Sequence, residues 1–200
     1  MKKPQHKSGQ KRTGRAKLAS LHAWTRPVLV LVALLGFGPV RSSAQNGTQH
    51  EYELKAGVLY RIIEYVEWPK EAMSSNPGAL QIGLIGQIPF VKALDLLNGK
   101  SIQGRELIVK QISDLQEATN CQVIFIGASE KARIAEIVAQ MKDRPVLTVS
   151  EITGFAEQGG MVNLLAGPNR IVMEINREVV GKAKLSVSSQ LLKLAKVVSK

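Results

Sequence analysis

Apolar side chains recur with helical spacing between about Gln49 and Trp68. One stripe follows a four-residue repeat and a second lies beside it; together they contain Leu54, Val58, Ile62, Leu59, Ile63 and Val66. An apolar face two stripes wide is typical of a helix that is mostly buried. Pro69 disfavours helical backbone at the residue before it, so the helix is predicted to end near Trp68. The polar residues 45–50 in front of it are predicted to be frayed.

Beyond a loop over 74–79, short apolar runs alternate with amphipathic segments. The runs that predict strands span 79–86, 105–112, 122–127 and 145–150. The segments that predict helices span 89–99, 114–120 and 129–142. Asp114 and Ser129 stand at the starts of the last two and are expected to be their N-caps. This alternation predicts an α/β fold with a mostly parallel sheet that helices cover on both faces.

The pattern changes after residue 158. The sequence "MVNLLAGPNRIVMEIN" (161–176) contains two strand-like runs joined by turn-forming residues, which predicts an antiparallel hairpin at an edge of the sheet. Gly159 and Gly160 precede it; because a strand follows them and not a helix, they indicate a turn and not a phosphate-binding loop. A helical turn over 177–185 and a last amphipathic helix over 188–198 complete the pattern.

The N-terminal segment has the order of a secretory signal peptide. A basic stretch precedes the apolar run "PVLVLVALLGFGPV", and "SSAQ" supplies small residues for cleavage near Ala44. The apolar run is shorter than the roughly 20 residues that span a bilayer. We therefore expect residues 1–44 to be removed, with an uncleaved membrane anchor as the alternative. The long basic stretch also leaves open a true start codon further downstream.

Removal of residues 1–44 changes the charge of the protein. These residues hold 9 of the 27 Lys and Arg and none of the 16 Asp and Glu, so residues 45–200 carry a formal charge of only +2. The charges there are interspersed, which gives no indication of nucleic-acid binding. The remaining length suits one α/β domain. Its only cysteine, Cys121, opens an apolar run, so a buried thiol is expected rather than a reactive or intermolecular one.

Candidate catalytic residues are scarce in residues 45–200. His50 is the only histidine there, so a Ser-His-Asp or Cys-His arrangement lacks a base, and a zinc site lacks its usual ligands. Glu64 and Glu67 lie three residues apart, but a solvated helix flank explains this spacing better than acid–base chemistry does. We predict no catalytic residues, no cofactor and no metal, and therefore no enzyme.

The predicted hairpin offers candidate residues for partner binding. By strand alternation, Asn163 and Glu174 are expected to face outward, opposite to their apolar neighbours. Met161 and Met173 are also candidates for partner contact, although core positions are the alternative for both. The final helix, capped by Ser188 or Ser189, is the next surface to consider.

Several segments of the chain resemble the YfiR-like family of exported bacterial proteins. They follow the family's order and span nearly all of residues 45–200: "LKAGVLYRIIEYVEWP", "GKSIQGRELIV", "CQVIFIGASE", "RPVLTVSEITGFAEQGGMVNLL", "RIVMEIN" and "KLSVSSQLLKLAKVV". The resemblance implies a periplasmic regulator that binds the periplasmic sensor region of an inner-membrane diguanylate cyclase. Binding represses the cyclase, lowers cyclic-di-GMP and so affects biofilm formation.

The resemblance also implies a homodimer, and a redox-tuned mechanism that this chain does not support, since Cys121 has no partner cysteine. Many members of so broad a family serve other membrane receptors. The alternative is therefore a periplasmic small-ligand-binding module that signals to a sensor kinase or receptor. A cavity with convergent polar groups at the carboxyl ends of the strands would favour that alternative.

Overall fold

A mixed sheet organises the fold in the computed structural model. Among the residues that the structure describes (44–74, 76–168 and 170–199), eight strands join in the order β10-β8-β7-β6-β5-β2-β4-β3, and β1 pairs separately with β9. The strands are β1 (Val66–Glu67), β2 (Ala79–Ile85), β3 (Ser101–Ile102), β4 (Arg105–Gln111), β5 (Val123–Ile126), β6 (Leu147–Ser150), β7 (Val162–Ala166), β8 (Ile171–Asn176), β9 (Ser186–Val187) and β10 (Lys196–Val198). The core from β4 to β7 is parallel, which confirms the predicted α/β fold.

The described part of the chain also contains five α-helices, of which the first precedes all of the strands. They are α1 (Ala44–Glu64), α2 (Val91–Asp95), α3 (Ile134–Met141), α4 (Arg177–Lys182) and α5 (Ser189–Leu194). Three 3₁₀ turns add to them, over Lys70–Met73, Glu117–Asn120 and Ala128–Arg133. No helix among the described residues is long and apolar enough to cross a bilayer. The predicted signal peptide lies outside the described residues except for Ala44.

Two apolar cores lie on the two faces of the sheet. In β5, Val123 and Phe125 point into the core beneath α1, whereas Ile124 and Ile126 point into the core beneath α3. All four side chains are fully buried. A strand buried on both faces has to be apolar at every position, which is why "VIFI" does not alternate with polar residues. Helices therefore cover both faces, as the sequence predicts.

The predicted hairpin is formed by β7 and β8. Its antiparallel register places Val162 opposite Ile175 and Leu164 opposite Met173. The short strand β10 then pairs in parallel with the outer side of β8, with Lys196 opposite Glu174. The hairpin therefore lies near the edge of the sheet, and β10 forms the edge itself.

Helix boundaries differ from the sequence predictions at several points. The helix α1 already includes 45–50, which were predicted to be frayed, and it ends at Glu64 because Val66 joins β1. The predicted helix over 129–142 begins as a 3₁₀ turn, so its α-helical part is only α3. The last three residues of the predicted final helix form β10 instead.

The two expected N-caps near the middle of the chain also differ from prediction. Ser129 caps no helix, because its Oγ accepts a hydrogen bond from the backbone N–H of Gln87 at 2.8 Å and so ties two loops together. Asp114 accepts from the backbone N–H of Gln116 at 2.8 Å ahead of the 3₁₀ turn. At the C-terminus, Ser188 is the cap of α5 and accepts from the N–H of Leu191.

Candidate interaction surface

The residues that the sequence offers for catalysis or metal binding lie apart in the structure. His50 lies exposed on α1, and no three His, Cys, Asp or Glu side chains of the described chain form a group that could hold a metal ion. Glu64 pairs with Arg61 at 2.7 Å and Glu67 belongs to β1, so the two carboxylates have separate surroundings.

The thiol of Cys121 is free and buried, as predicted. Burial raises its pKa, to which the charge of Glu117 adds, while the charge of Lys110 acts in the opposite direction. A raised pKa keeps the thiol protonated near neutral pH and lowers its nucleophilicity. Cys121 is thus suited to packing rather than to chemistry.

Two loops pack against each other at the crevice where an open α/β sheet usually binds ligands. Strand β4 lies on one side of β2 and β5 lies on the other, so the strand order reverses between β2 and β5. In open α/β folds, ligands bind beyond the carboxyl ends of the two strands at such a point. Here a side chain on Gly127 would run into the carbonyl of Gln87. A side chain on Gly86, whose φ is +78°, would run equally close to Ser129. The two loops therefore pack closely against each other beyond these strand ends.

A buried lysine fixes α1 above the same end of the sheet. Lys55 is only 5% exposed and binds Glu151, directly after β6, and Glu51, each at 2.8 Å. Its ammonium lies 5.5 Å from the ring centroid of Phe90 and 5.9 Å from that of Tyr52. Burial lowers the pKa of Lys55, but the two carboxylates outweigh burial and raise it above its ordinary value. The pair therefore orients α1 on the sheet.

Sequence reasoning missed this ion pair, although the sequence contains a signal for it. Lys55 stands four residues before Leu59 and eight before Ile63, on the stripe of α1 that is buried. A charged residue at a core position needs a buried partner. The spacing therefore predicts an ion pair, although it does not identify Glu151.

The predicted partner-binding residues are all buried. Asn163 is 0% exposed, Glu174 6%, Met161 2% and Met173 7%. The expectation that Asn163 and Glu174 face outward is wrong, because both side chains are buried and bind partners on neighbouring strands, Ser150 and Lys196. Met161 and Met173 lie in the core beneath α1. Whether the four residues take part in partner binding stays a prediction.

Polar side chains form a row across the strands beside the hairpin. The amide nitrogen of Asn163 donates to the carbonyl of Ser150 at 3.0 Å, while its Oδ1 is buried with no hydrogen-bond partner. Glu174 binds Lys196 at 2.8 Å. The Lys196 side chain is largely exposed, so this row reaches the surface only at β10.

Exposed apolar side chains gather instead where the chain ends. Leu194 at the end of α5 is 78% exposed and Val197 on β10 is 51% exposed. Within the described chain, β10 is paired on one side only, with β8. We refer to Leu194, Val197 and the free side of β10 as the C-terminal edge. Exposed apolar groups beside an unpaired strand are typical of protein–protein contact surfaces.

A second surface, which adjoins the C-terminal edge at Leu194, lies on the outer side of α1. A groove of about 820 Å³ separates α1 from α5, and a second depression of about 580 Å³ lies on the other side of the helix. Both include Gly57 and Arg61 in their walls. Gly57 therefore forms the low point of a saddle across α1, which we call the α1 saddle.

Residues 52–196 of the sequence match the YfiR/HmsC-like family model. Among solved structures, a conserved domain protein from Vibrio cholerae O1 biovar El Tor is similar with a TM-score of 0.47 and 13% identity, over 66% of this chain and 58% of that one. The ABC domain in complex with L-Trp from Streptococcus pneumonia is similar with a TM-score of 0.45 and 11% identity, over 64% of this chain and 58% of that one. This chain thus spans just over half the length of either protein. The family match includes every strand from β1 to β9, and the chain belongs to the YfiR/HmsC-like family.

Proposed function

We propose that this protein represses an inner-membrane diguanylate cyclase by binding its periplasmic sensor region, and so lowers cyclic-di-GMP. The YfiR/HmsC-like family is a periplasmic, regulatory and non-enzymatic family whose members interact with membrane signalling proteins. One feature of this chain that supports such a role is the close packing of the loops after β2 and β5, at the switch point where many α/β proteins bind ligands.

The observation that carries the proposal is the C-terminal edge. Leu194 and Val197 are exposed beside an open strand edge, which offers both apolar area and free backbone groups to a partner. Glu174 and Lys196 form an ion pair at the same edge, which keeps a charged rim around the apolar centre. Glu174 itself is mostly buried, but we still propose that it contributes to partner binding through its ion pair with the exposed Lys196.

Export is part of the proposal, because a periplasmic sensor region is accessible only from that compartment. We propose that residues 1–44 are removed on secretion. An intact-mass measurement of the exported protein tests this, and a mass that includes residues 27–44 contradicts cleavage near Ala44.

Homodimerisation is also proposed, through the α1 saddle. A glycine in the middle of a helix costs roughly 0.5–1 kcal/mol relative to alanine. A side chain on Gly57 would meet nothing within 4 Å, so packing inside the protomer does not account for this glycine. A second copy of α1, crossing antiparallel at Gly57, would approach closely there and cover Leu54, which is 38% exposed. It would also set Glu53 of each copy opposite Arg61 of the other.

The repressor role is tested in the source bacterium, where the membrane partner is present whatever its identity. Deletion of the gene should raise cyclic-di-GMP, and the wild-type gene should restore the original level. Leu194→Asp with Val197→Asp should fail to restore it although the protein remains exported and folded. Leu96→Asp is the matched control, because Leu96 is 67% exposed but lies elsewhere.

Two outcomes separate the alternatives. An unchanged cyclic-di-GMP level after deletion contradicts cyclase repression and leaves a sensor kinase or another receptor as the partner. Full repression by the double variant contradicts the C-terminal edge as the contact surface while leaving the repressor role in place.

A further inference from the structure

We propose that a cavity beside Trp68 binds a small carboxylate with a compact apolar body. The cavity has a volume of about 430 Å³ and lies between the 3₁₀ turn over Lys70–Met73 and the start of β4. It is separate from the C-terminal edge and from the α1 saddle, so the inference does not rest on the proposed function. Volumes of roughly 300–1,000 Å³ are usual for small-molecule sites.

The guanidinium of Arg105 is the group in this cavity that favours an anion. Among the described residues, its buried Nε has no hydrogen-bond partner and its Nη1 reaches only the carbonyl of Gln103, at a long 3.5 Å. No carboxylate of the described chain forms an ion pair with this guanidinium. A guanidinium that lacks a carboxylate partner can take up a bound carboxylate through those of its N–H groups that line the cavity.

One wall of the cavity is held rigidly by a buried glutamine. The Trp68 indole donates from Nε1 to the carbonyl of Gln122 at 3.1 Å. The Gln122 side chain, in turn, accepts from the N–H of Gln81 at 2.8 Å and donates to the carbonyl of Ala72 at 3.2 Å. Strand β2, the 3₁₀ turn and the indole are thereby fixed to one another. A rigid wall lowers the ordering cost of binding.

The opposite wall is held in a similar way. The Gln103 side chain donates to the carbonyls of Glu64 and Val66 at 3.1 and 3.0 Å, which fastens the β3–β4 turn to the end of α1. Gln103 adopts a φ of +51°, a conformation that a side chain rarely takes without such support. Because Arg105 follows two residues later, the same bonds place its guanidinium against the cavity.

The lining decides the class of ligand. Arg105 and Lys70 contribute two positive charges and Glu67 one negative charge, so the cavity favours an anion. Trp68, Met73 and Pro77 give it an apolar side that suits a ring or a short branched chain. A small carboxylate with a compact apolar body matches both the positive and the apolar part of the lining.

Trp68 also provides the readout. The chain has two tryptophans, so in a protein that carries Trp24→Phe the fluorescence reports on Trp68 alone, whether or not residues 1–44 are removed. Benzoate should change this fluorescence saturably. Benzamide, which has the same ring without the charge, should bind at least about tenfold more weakly, because a charge-assisted hydrogen bond is about twice as strong as a neutral one.

Arg105→Gln in the same background should weaken benzoate binding at least about tenfold. Arg144→Gln, at an exposed arginine away from the cavity, should leave it unchanged. Thermal melting shows whether Arg105→Gln is folded; if it is not, Lys70→Gln at the exposed rim takes its place, with a smaller loss expected. The proposal is wrong if benzoate gives no saturable change, if benzamide binds equally well, or if the folded charge variant keeps full affinity.

Discussion

Asn163 on β7 and Glu174 on β8 are direct cross-strand neighbours, and both side chains are buried. Their shared row continues to Ser150 on one side and to Lys196 on the other. Two polar residues that alternate with apolar ones thus lie inside the protein. The free energy of unfolding therefore depends on their partners, which is the basis of the first prediction.

Glu174→Lys should destabilise the fold. The Glu174 side chain is 8% exposed and binds Lys196, so the substitution buries a new ammonium beside an existing one. We expect the midpoint of thermal unfolding to fall by at least about 4 °C, which corresponds to at least about 1 kcal/mol in a domain of this size. Glu174→Gln keeps a hydrogen-bond acceptor and should lose less. Equal midpoints for Glu174→Lys and the wild type contradict the burial of this pair.

Gly160→Val should also destabilise the fold, because a side chain there would run into the buried ring of Phe155. The positive φ belongs to the neighbouring Gly159, at +96°, so steric overlap and not backbone strain is the cause at Gly160. Gly181→Ala on α4 is the control. A Cβ there meets nothing within 4 Å, so this variant should gain up to about 1 kcal/mol from helix propensity.

These two positions show what the sequence can and cannot specify. Strand alternation correctly separates Asn163 from Val162 and Leu164, and turn residues correctly predict the hairpin. Alternation cannot show whether the polar side of a strand meets solvent or a covering loop, because that depends on contacts distant in sequence. The same limit explains Ser129, whose hydroxyl binds the distant loop at Gln87 instead of a helix end.

Because of Lys55, the free energy of unfolding should fall as the pH rises into the alkaline range. Its pKa is raised above the ordinary 10.5 in the folded protein, so its contribution is complete below that pH and is lost as the pH rises through the folded value. Urea unfolding of the wild type should therefore show a decline above about pH 10.5 that is smaller in Lys55→Met. Near neutral pH, Lys55→Met leaves the mostly buried Glu151 without its cation and should cost about 3 kcal/mol.

The double variant Lys55→Met with Glu151→Gln is the control for the stability that Lys55→Met loses near neutral pH. The carboxylate that remains, Glu51, is 37% exposed and therefore solvated, so the double variant should recover part of the stability that the single variant loses. Identical losses in the single and double variants would mean that the two side chains are not coupled.

The α1 saddle predicts how charge reversals act on the oligomeric state. In an antiparallel pair centred on Gly57, Glu53→Arg sets two arginines against each other, and Arg61→Glu sets two carboxylates against each other. Each single variant should shift the exported protein towards monomers in sedimentation velocity, and the two together should restore the dimer with its charges exchanged. Both residues are exposed and, within the described part of the chain, bind only neighbours on the same helix, so the fold should tolerate every combination.

Gly57→Leu completes this test, since it fills the low point of the saddle without changing charge. It should weaken the dimer while leaving the protomer folded, because a side chain there has open space around it. A dimer that survives Gly57→Leu and both single reversals lies on another surface. A dimer that is lost in the single reversals and stays lost in the double variant contradicts the antiparallel pairing of Glu53 with Arg61.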